Sequence, residues 1–371
     1  MMITVRRFAL LVLVLMGLGA CSSDNNNDKI FSLDDSDISS PYPDSELFSG
    51  LEFDWRTHNR LANGSDNWPT TWGGDDIIYT AWGDGGGFEG GNRISRTSIG
   101  IAIVEGNFDD YETTNILGGV DSPKRPNFVG KSYGILAVDS SLYMWVSPGD
   151  GSTLYFGSRL HVSEDDGVNW EILDWDFSRD TGMITPTFLQ FGKGYEGARD
   201  EYVYIYANHL TSPDFTILSV QKPGETFLLR APKGLLKDRK SYEFFTGLDK
   251  EGNARWSSKV EKKVPVLKDP NGVGWNVSAF YHPAYKRYFI LTEHEQSFRG
   301  CLGMFEGESP WGPWKTVHYQ CGFGDGQILT SGFYWNVPTK WIDKNGQFTM
   351  VFTGIKENDS WNTIQARFLT R

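Results

Sequence analysis

Cysteine is almost missing from this chain: three occur in 371 residues, at positions 21, 301 and 321. So few thiols exclude a disulfide-framed scaffold, and no spacing of Cys and His resembles a zinc site. Basic charge is also short, with 35 Lys and Arg against 47 Asp and Glu and a net charge of −12. A nucleic-acid partner is disfavoured in consequence, because phosphate binding needs a basic face. The one basic cluster, at 259–263, reads as a solvated loop. Neither a Gly-x-Ser-x-Gly elbow nor a Walker loop is found, which disfavours serine-hydrolase and nucleotide chemistry. Stretches of 3.6-residue apolar periodicity are nearly absent too, so the chain is not helical.

What the chain does have begins at its N-terminus. Arg6 and Arg7 precede an apolar run over 8–18 and the small residues of Leu18-Gly19-Ala20-Cys21. This is the charged region, apolar region and cleavage point of a secretory signal, and it resembles a bacterial lipobox with Cys21 as the lipidated first residue. The expected organisation is a signal peptide over 1–20, a flexible polar tether over 21–46 and one β domain over 47–371. The expected address is the outer membrane of a bacterium, periplasmic or surface-exposed, with the lipid as the only membrane contact and the protein monomeric.

Aromatics make up 15% of the residues and glycine occurs 42 times, an all-β profile. Strand candidates lie at 77–82, 98–105, 134–138, 141–146, 202–207, 279–281, 288–292, 303–306 and 348–353, many separated by hairpin turns. Repeated hairpins over about 320 residues predict radial repetition, which leaves few free sheet edges. A five-bladed β-propeller is the leading expectation and a seven-bladed one the alternative. Residues 163–170, SEDDGVNW, match the S-x-D-x-G-x-x-W "Asp box", which resembles the structural turns of sialidases and other propellers. Asp165 is therefore assigned no chemistry. Cys301 and Cys321 would close a loop of about twenty residues in an oxidising compartment, and whether they pair is left open.

The stretch SDNWPTTWGGDDIIYTAWGDGGG, 65–87, carries the functional expectation. If 70–72 and 77–82 pair about a turn at Asp75, facing residues have numbers summing to about 150, which puts Asp66 and Asp84 at one end. Pro69 cannot donate to a central ladder, so Asp66 should sit just beyond regular pairing. Two carboxylates on one rim are what glycosidic cleavage needs, at about 5 to 5.5 Å for retention or about 6.5 to 9.5 Å for inversion. Trp68, Trp72 and Trp82 are expected as sugar-stacking faces near the acids, and Asp75 and Asp76 as turn residues at the opposite end. The blander reading is that Asp66 caps a turn and Asp84 binds backbone amides.

The run SDNWPTTW…YTAWGDGGGF, with HPAYKRY at 282–288, TEH at 292–294, PWGPW at 310–314 and DSWN at 359–362, resembles secreted propellers grouped as domain of unknown function 4185. That grouping is related to glycoside hydrolase family 183, which includes endo-D-arabinanases. The resemblance spans roughly 50–371 and implies a five-bladed propeller with an acidic pair, mapped onto Asp66 and Asp84, and a polysaccharide substrate of arabinan type.

Further candidate substrate contacts are Arg93, His209, Glu293, His294 and the repeated Trp-Asn pairs Trp275-Asn276 and Trp335-Asn336; their bland alternatives are surface, turn and packing roles. No cofactor is expected and no metal ligand is assigned, with a calcium ion near the glycine-rich acid loop left open. Two other functions compete with the hydrolase. One is a polysaccharide lyase using His161, His209, His282 or His294 on a uronate polymer, with Arg93, Lys131 and Arg199 as its basic residues. The other is a non-catalytic glycan-binding surface lipoprotein.

Overall fold

The computed structural model describes residues 38–148, 157–211, 219–328, 331–354 and 359–371. The expected signal peptide, the lipidation site Cys21 and most of the expected tether lie outside the described residues. Among the described residues every helix is a single 3-10 turn, and no helix is long and apolar enough to cross a membrane. The domain is all-β, as its composition predicts.

Strand β1 (Phe48–Leu61) is followed by the meander β2 (Thr70–Trp72), β3 (Ile78–Gly83), β4 (Ile99–Glu105) and β5 (Glu112–Leu117). A second meander comprises β6 (Lys131–Val138), β7 (Ser141–Ser147), β8 (Gly157–Ser163) and β9 (Glu171–Ser178). Next come β10 (Met183–Gln190), β11 (Tyr202–His209), β12 (Gly224–Pro232), β13 (Glu243–Leu248), β14 (Ala254–Ser257) and β15 (Pro265–Asp269), then β16 (Val277–His282), β17 (Arg287–Glu293), β18 (Leu302–Ser309) and β19 (Gly312–Gln320). These last two groups form one ten-stranded sheet, because β10 pairs in parallel with β16 over Leu189–Ala279 and Gln190–Phe280. The final sheet has the order β1-β22-β21-β20, from β20 (Phe333–Asn336), β21 (Gln347–Thr353) and β22 (Trp361–Thr370).

Strands such as β3, β7 and β17 are near-continuous apolar runs buried on both faces, whereas β5 and β9 alternate buried with exposed residues. That gradient is expected when sheets pack face to face around a centre and only the outermost strands meet water. The first strands, β2, β6, β10, β16 and β20, together line a cavity of about 10 Å³ that includes Thr70, Ile135, Thr187, Ser278 and Asn336. They begin at one end of this axis, hereafter the mouth.

Residues 38–46, expected in the tether, are instead docked on the domain. Tyr42 packs edge-on to Phe305 at 5.3 Å, Asp44 bridges to Thr316, and the Ser45 hydroxyl donates to Glu306 at 3.0 Å. Cys301 and Cys321 form a disulfide. The Asp box joins β8 to β9 at the end opposite the mouth, as its structural reading requires. There the Asn169 amide donates to Asp165 at 2.8 Å and the Trp170 indole N–H to the Gly167 carbonyl at 2.8 Å.

Candidate active site

The first hairpin has the expected register: Thr70 faces Thr80, Thr71 faces Tyr79 and Trp72 faces Ile78, each pair of numbers summing to 150. Regular pairing stops at Pro69, and one further bridge joins Asp66 to Gly83 through N–H to carbonyl bonds of 2.8 and 2.6 Å. Asp84 follows directly, in a left-handed conformation with φ of 52°. Both carboxylates therefore emerge at the mouth.

Gly83 makes this approach possible. A Cβ there would lie 2.6 Å from Asp66 Oδ1 and 2.9 Å from Lys131 Cδ, both closer than packed atoms come. Lys131, the first residue of β6, places its Nζ 2.5 Å from Asp84 Oδ1, and Arg96 reaches Asp84 Oδ2 at 3.1 Å. The Asp84 side chain remains 28% exposed between these two cations. Asp66 accepts from Asn67 Nδ2 at 3.2 Å, and Asn67 Oδ1 in turn accepts from Asn276 Nδ2 at 3.4 Å. A polar chain thus crosses from β2 to the start of β16.

A third acid joins the pair. Asp359, just before β22, is tied to the first meander where its carbonyl accepts from Gly64 N–H at 2.6 Å. Burial, reinforced by the charges of Asp66 and Asp84, pushes its carboxyl up to about 7. Burial likewise raises Asp66 to about 6; the nearby Lys131 opposes the rise and the Asp84 charge adds to it. Glu293, at the mouth end of β17, is raised to about 8 by burial, although it accepts from the Phe298 amide at 2.6 Å. The mouth thus holds one carboxyl flanked by two cations beside others that burial raises well above the usual carboxylate range, the contrast that acid–base chemistry uses.

The other expected contacts divide. Asn276 belongs to the chain that leads to Asp66. His209 ends β11 on the mouth side, where its Nδ1 lies 3.2 Å from Glu225. Asn336 lines the central cavity. Six aromatic or histidine assignments are corrected, and one of them, Trp72, ends β2 at the turn end of the hairpin, away from the acids. Trp68 and Trp82 are fully buried behind the acids, 5.8 Å apart, and pack in one apolar cluster with Phe88 and Trp361. Trp335 is buried against Phe323 at 5.5 Å. His294 stacks on Tyr319 at 3.6 Å, turned away from Glu293 as successive strand residues are. Trp275 is also buried, stacked on Phe333 and edge-on to Tyr133, so it shapes the mouth's floor and offers no open face. Arg93 is exposed, and the arginine that meets Asp84 is Arg96, three residues on.

Two of the histidines offered for lyase chemistry lie away from the mouth. His161 lies against Phe128 in β8 and His282 ends β16 on the far side, and burial lowers them to about 3 and about 4. Arg199 lies over the Tyr281 ring at 5.5 Å, also away from the mouth. Sequence reasoning missed Asp359 as part of the acidic set and Lys131 with Arg96 as partners of Asp84. The one available signal was the acidic DSWN segment near the C-terminus.

No family model matches the chain, and no curated protein does. Solved structures do. A Bacteroides ovatus protein described in general terms as a hydrolase superposes with a TM-score of 0.56 and 13% identity, covering 86% of this chain and 93% of its own. An enzyme of glycoside hydrolase family 43 from Xanthomonas citri gives 0.48 at 11% identity, over 84% of this chain and 91% of its own. A family 117 glycoside hydrolase of Zobellia galactanivorans gives 0.44 at 9% identity, over 88% and 91%. The first likeness speaks to the fold alone. The other two are too distant to add to it.

Proposed function

We propose that this protein is an extracytoplasmic glycoside hydrolase built on a five-bladed β-propeller, with Asp66 and Asp84 as its acid and base. One observation carries the reading: the register of the first hairpin delivers both acids to a single mouth, where Asp84 is flanked by Lys131 and Arg96 while Asp66 holds its proton to about 6. The five blades are the four-stranded meanders led by β2, β6, β10, β16 and β20, with β14 and β15 added to the third.

In the reaction, protonated Asp66 donates its proton to the glycosidic oxygen as the bond to the anomeric carbon breaks. Asp84 supplies the negative charge on the other side of the sugar, either by taking a proton from the attacking water or by bonding to the anomeric carbon. Asp359 is a positioning residue beside the pair, whose charges help to hold its proton; the three titrate together. Asn67 and Asn276 orient Asp66. The motif resemblance to endo-D-arabinanase relatives makes a furanose polymer of arabinan type the first substrate to try. Lipidation at Cys21 would hold the enzyme at the cell surface, where such a polymer arrives.

The test is to incubate the purified domain with a glycan panel and read new reducing ends. Release by the wild type and none by Asp84→Asn supports the reading. Turnover retained in Asp84→Asn rejects it, and a product absorbing through a new double bond would replace it with a lyase.

A further inference from the structure

The end of the domain opposite the mouth carries a cavity of about 450 Å³, within the size range of small-ligand sites. It opens where β2, β10 and β16 end, between Trp72, Phe191, Tyr281 and Ala284 on one side and Ile342 and Lys344 on the other. Two observations mark it as built to be filled. Trp72 is partly exposed and its indole N–H is fixed on Asp76 at 3.0 Å, so a rigid aromatic wall faces the space. His282 contributes to the cavity wall, but its ring is buried against Tyr285 at 4.5 Å and Phe368 at 5.8 Å and its nitrogens do not reach the space. Gly197 on the rim is kept bare because a Cβ there would meet the Phe191 carbonyl at 2.1 Å, which holds that loop close in.

The charges around this cavity cancel. Lys193 and Lys344 alternate with Glu196 and Asp343, so the rim selects neither anions nor cations. An aromatic wall and evenly mixed polar groups at the edge match the two faces of a sugar ring, one of C–H groups and one of hydroxyls. We propose that this cavity is a second saccharide site that holds a neutral oligosaccharide segment without cleaving it. The ligand class rests on the glycan-active reading of the mouth; the cavity and its aromatic wall do not.

The test separates the two. In a double Asp66→Asn, Asp84→Asn protein, whose mouth is chemically silent, arabino-, xylo- and cello-oligosaccharides of four to six units are titrated while hydrogen exchange is followed. Protection over 281–284 and 339–344 is expected with at least one probe. That protection should weaken by about tenfold in Trp72→Ala and vanish in Ala284→Trp, which fills the cavity without touching the core. Ala284→Trp serves as the arbiter should Trp72→Ala lower the melting temperature. No protection with any probe at millimolar concentration overturns the proposal, as does protection that Ala284→Trp leaves intact. Turnover by the wild type is read in a separate assay, so an inactive mouth with a protected cavity would sink the hydrolase reading and leave this site standing.

Discussion

The first hairpin carries acids at both ends, and the two ends treat them oppositely. At the turn, Asp75 accepts from the Tyr79 hydroxyl at 2.6 Å and from the Ile77 amide at 3.2 Å, while Asp76 collects Trp72, Lys193 and Lys340. Bonds from Trp72 and Lys340 outweigh the modest burial there and hold Asp76 below the usual carboxylate range. At the mouth, Asp66 has a single side-chain donor, Asn67, and burial wins, carrying its carboxyl upward. Identical side chains on the same two strands thus become turn fasteners at one end and proton holders at the other. Local donors and burial decide, rather than residue type.

The sharpest way to break this contrast is Asp84→Asn. Turnover should fall by about 10³-fold or more, with some loss of stability because Lys131, largely buried, loses its charge partner; reducing-end release and a thermal melt check both. Gly83→Ala comes next: a methyl group pressed on Asp66 and Lys131 should cost about 10- to 100-fold in turnover through misplacement, with the fold retained.

Asp66→Asn and Asp359→Asn sharpen the electrostatic side. A carboxyl raised in the folded state stabilises it at low pH, and this contribution is lost as pH climbs through the folded value. Here the window runs from about 4 to about 6 for Asp66 and to about 7 for Asp359. Each variant should therefore gain melting temperature relative to wild type as pH rises across its window, by a few degrees, and a gap that stays flat from pH 4 to 8 would contradict the burial account. Asp359→Asn should also keep most of the turnover. The smallest effect belongs to Asp75→Asn: turnover unchanged, and a loss of about 1 kcal/mol or less from weakened turn bonds, read by denaturant melts.

How much of this was legible in the sequence follows from how far the deciding contacts reach. The hairpin register needed only Pro69, the Gly-Gly-Asp-Asp turn and the alternation around them, all within twenty residues, and the mouth position of Asp66 and Asp84 came with it. The Asp box was equally local. Asp359 was not readable as a partner, since β22 brings it to Gly64 from the far end of the chain. The tryptophans misled because a sugar platform and a core residue share one composition; only the packing of Trp361 and Phe88 on Trp68 shows that its face is already taken. His294 failed by one residue of strand parity, the commonest way a period-2 pattern misassigns a side chain.

Strand β22 lies between β1 and β21 and hydrogen-bonds to both. Until residues 361–370 have been synthesised, the opening strand has nothing to zip onto, and Asp359 has no fixed place beside Asp66. Pairing of 361–370 with both neighbours therefore closes the domain, and loosening that strand would release Asp359 from its place beside the other acids.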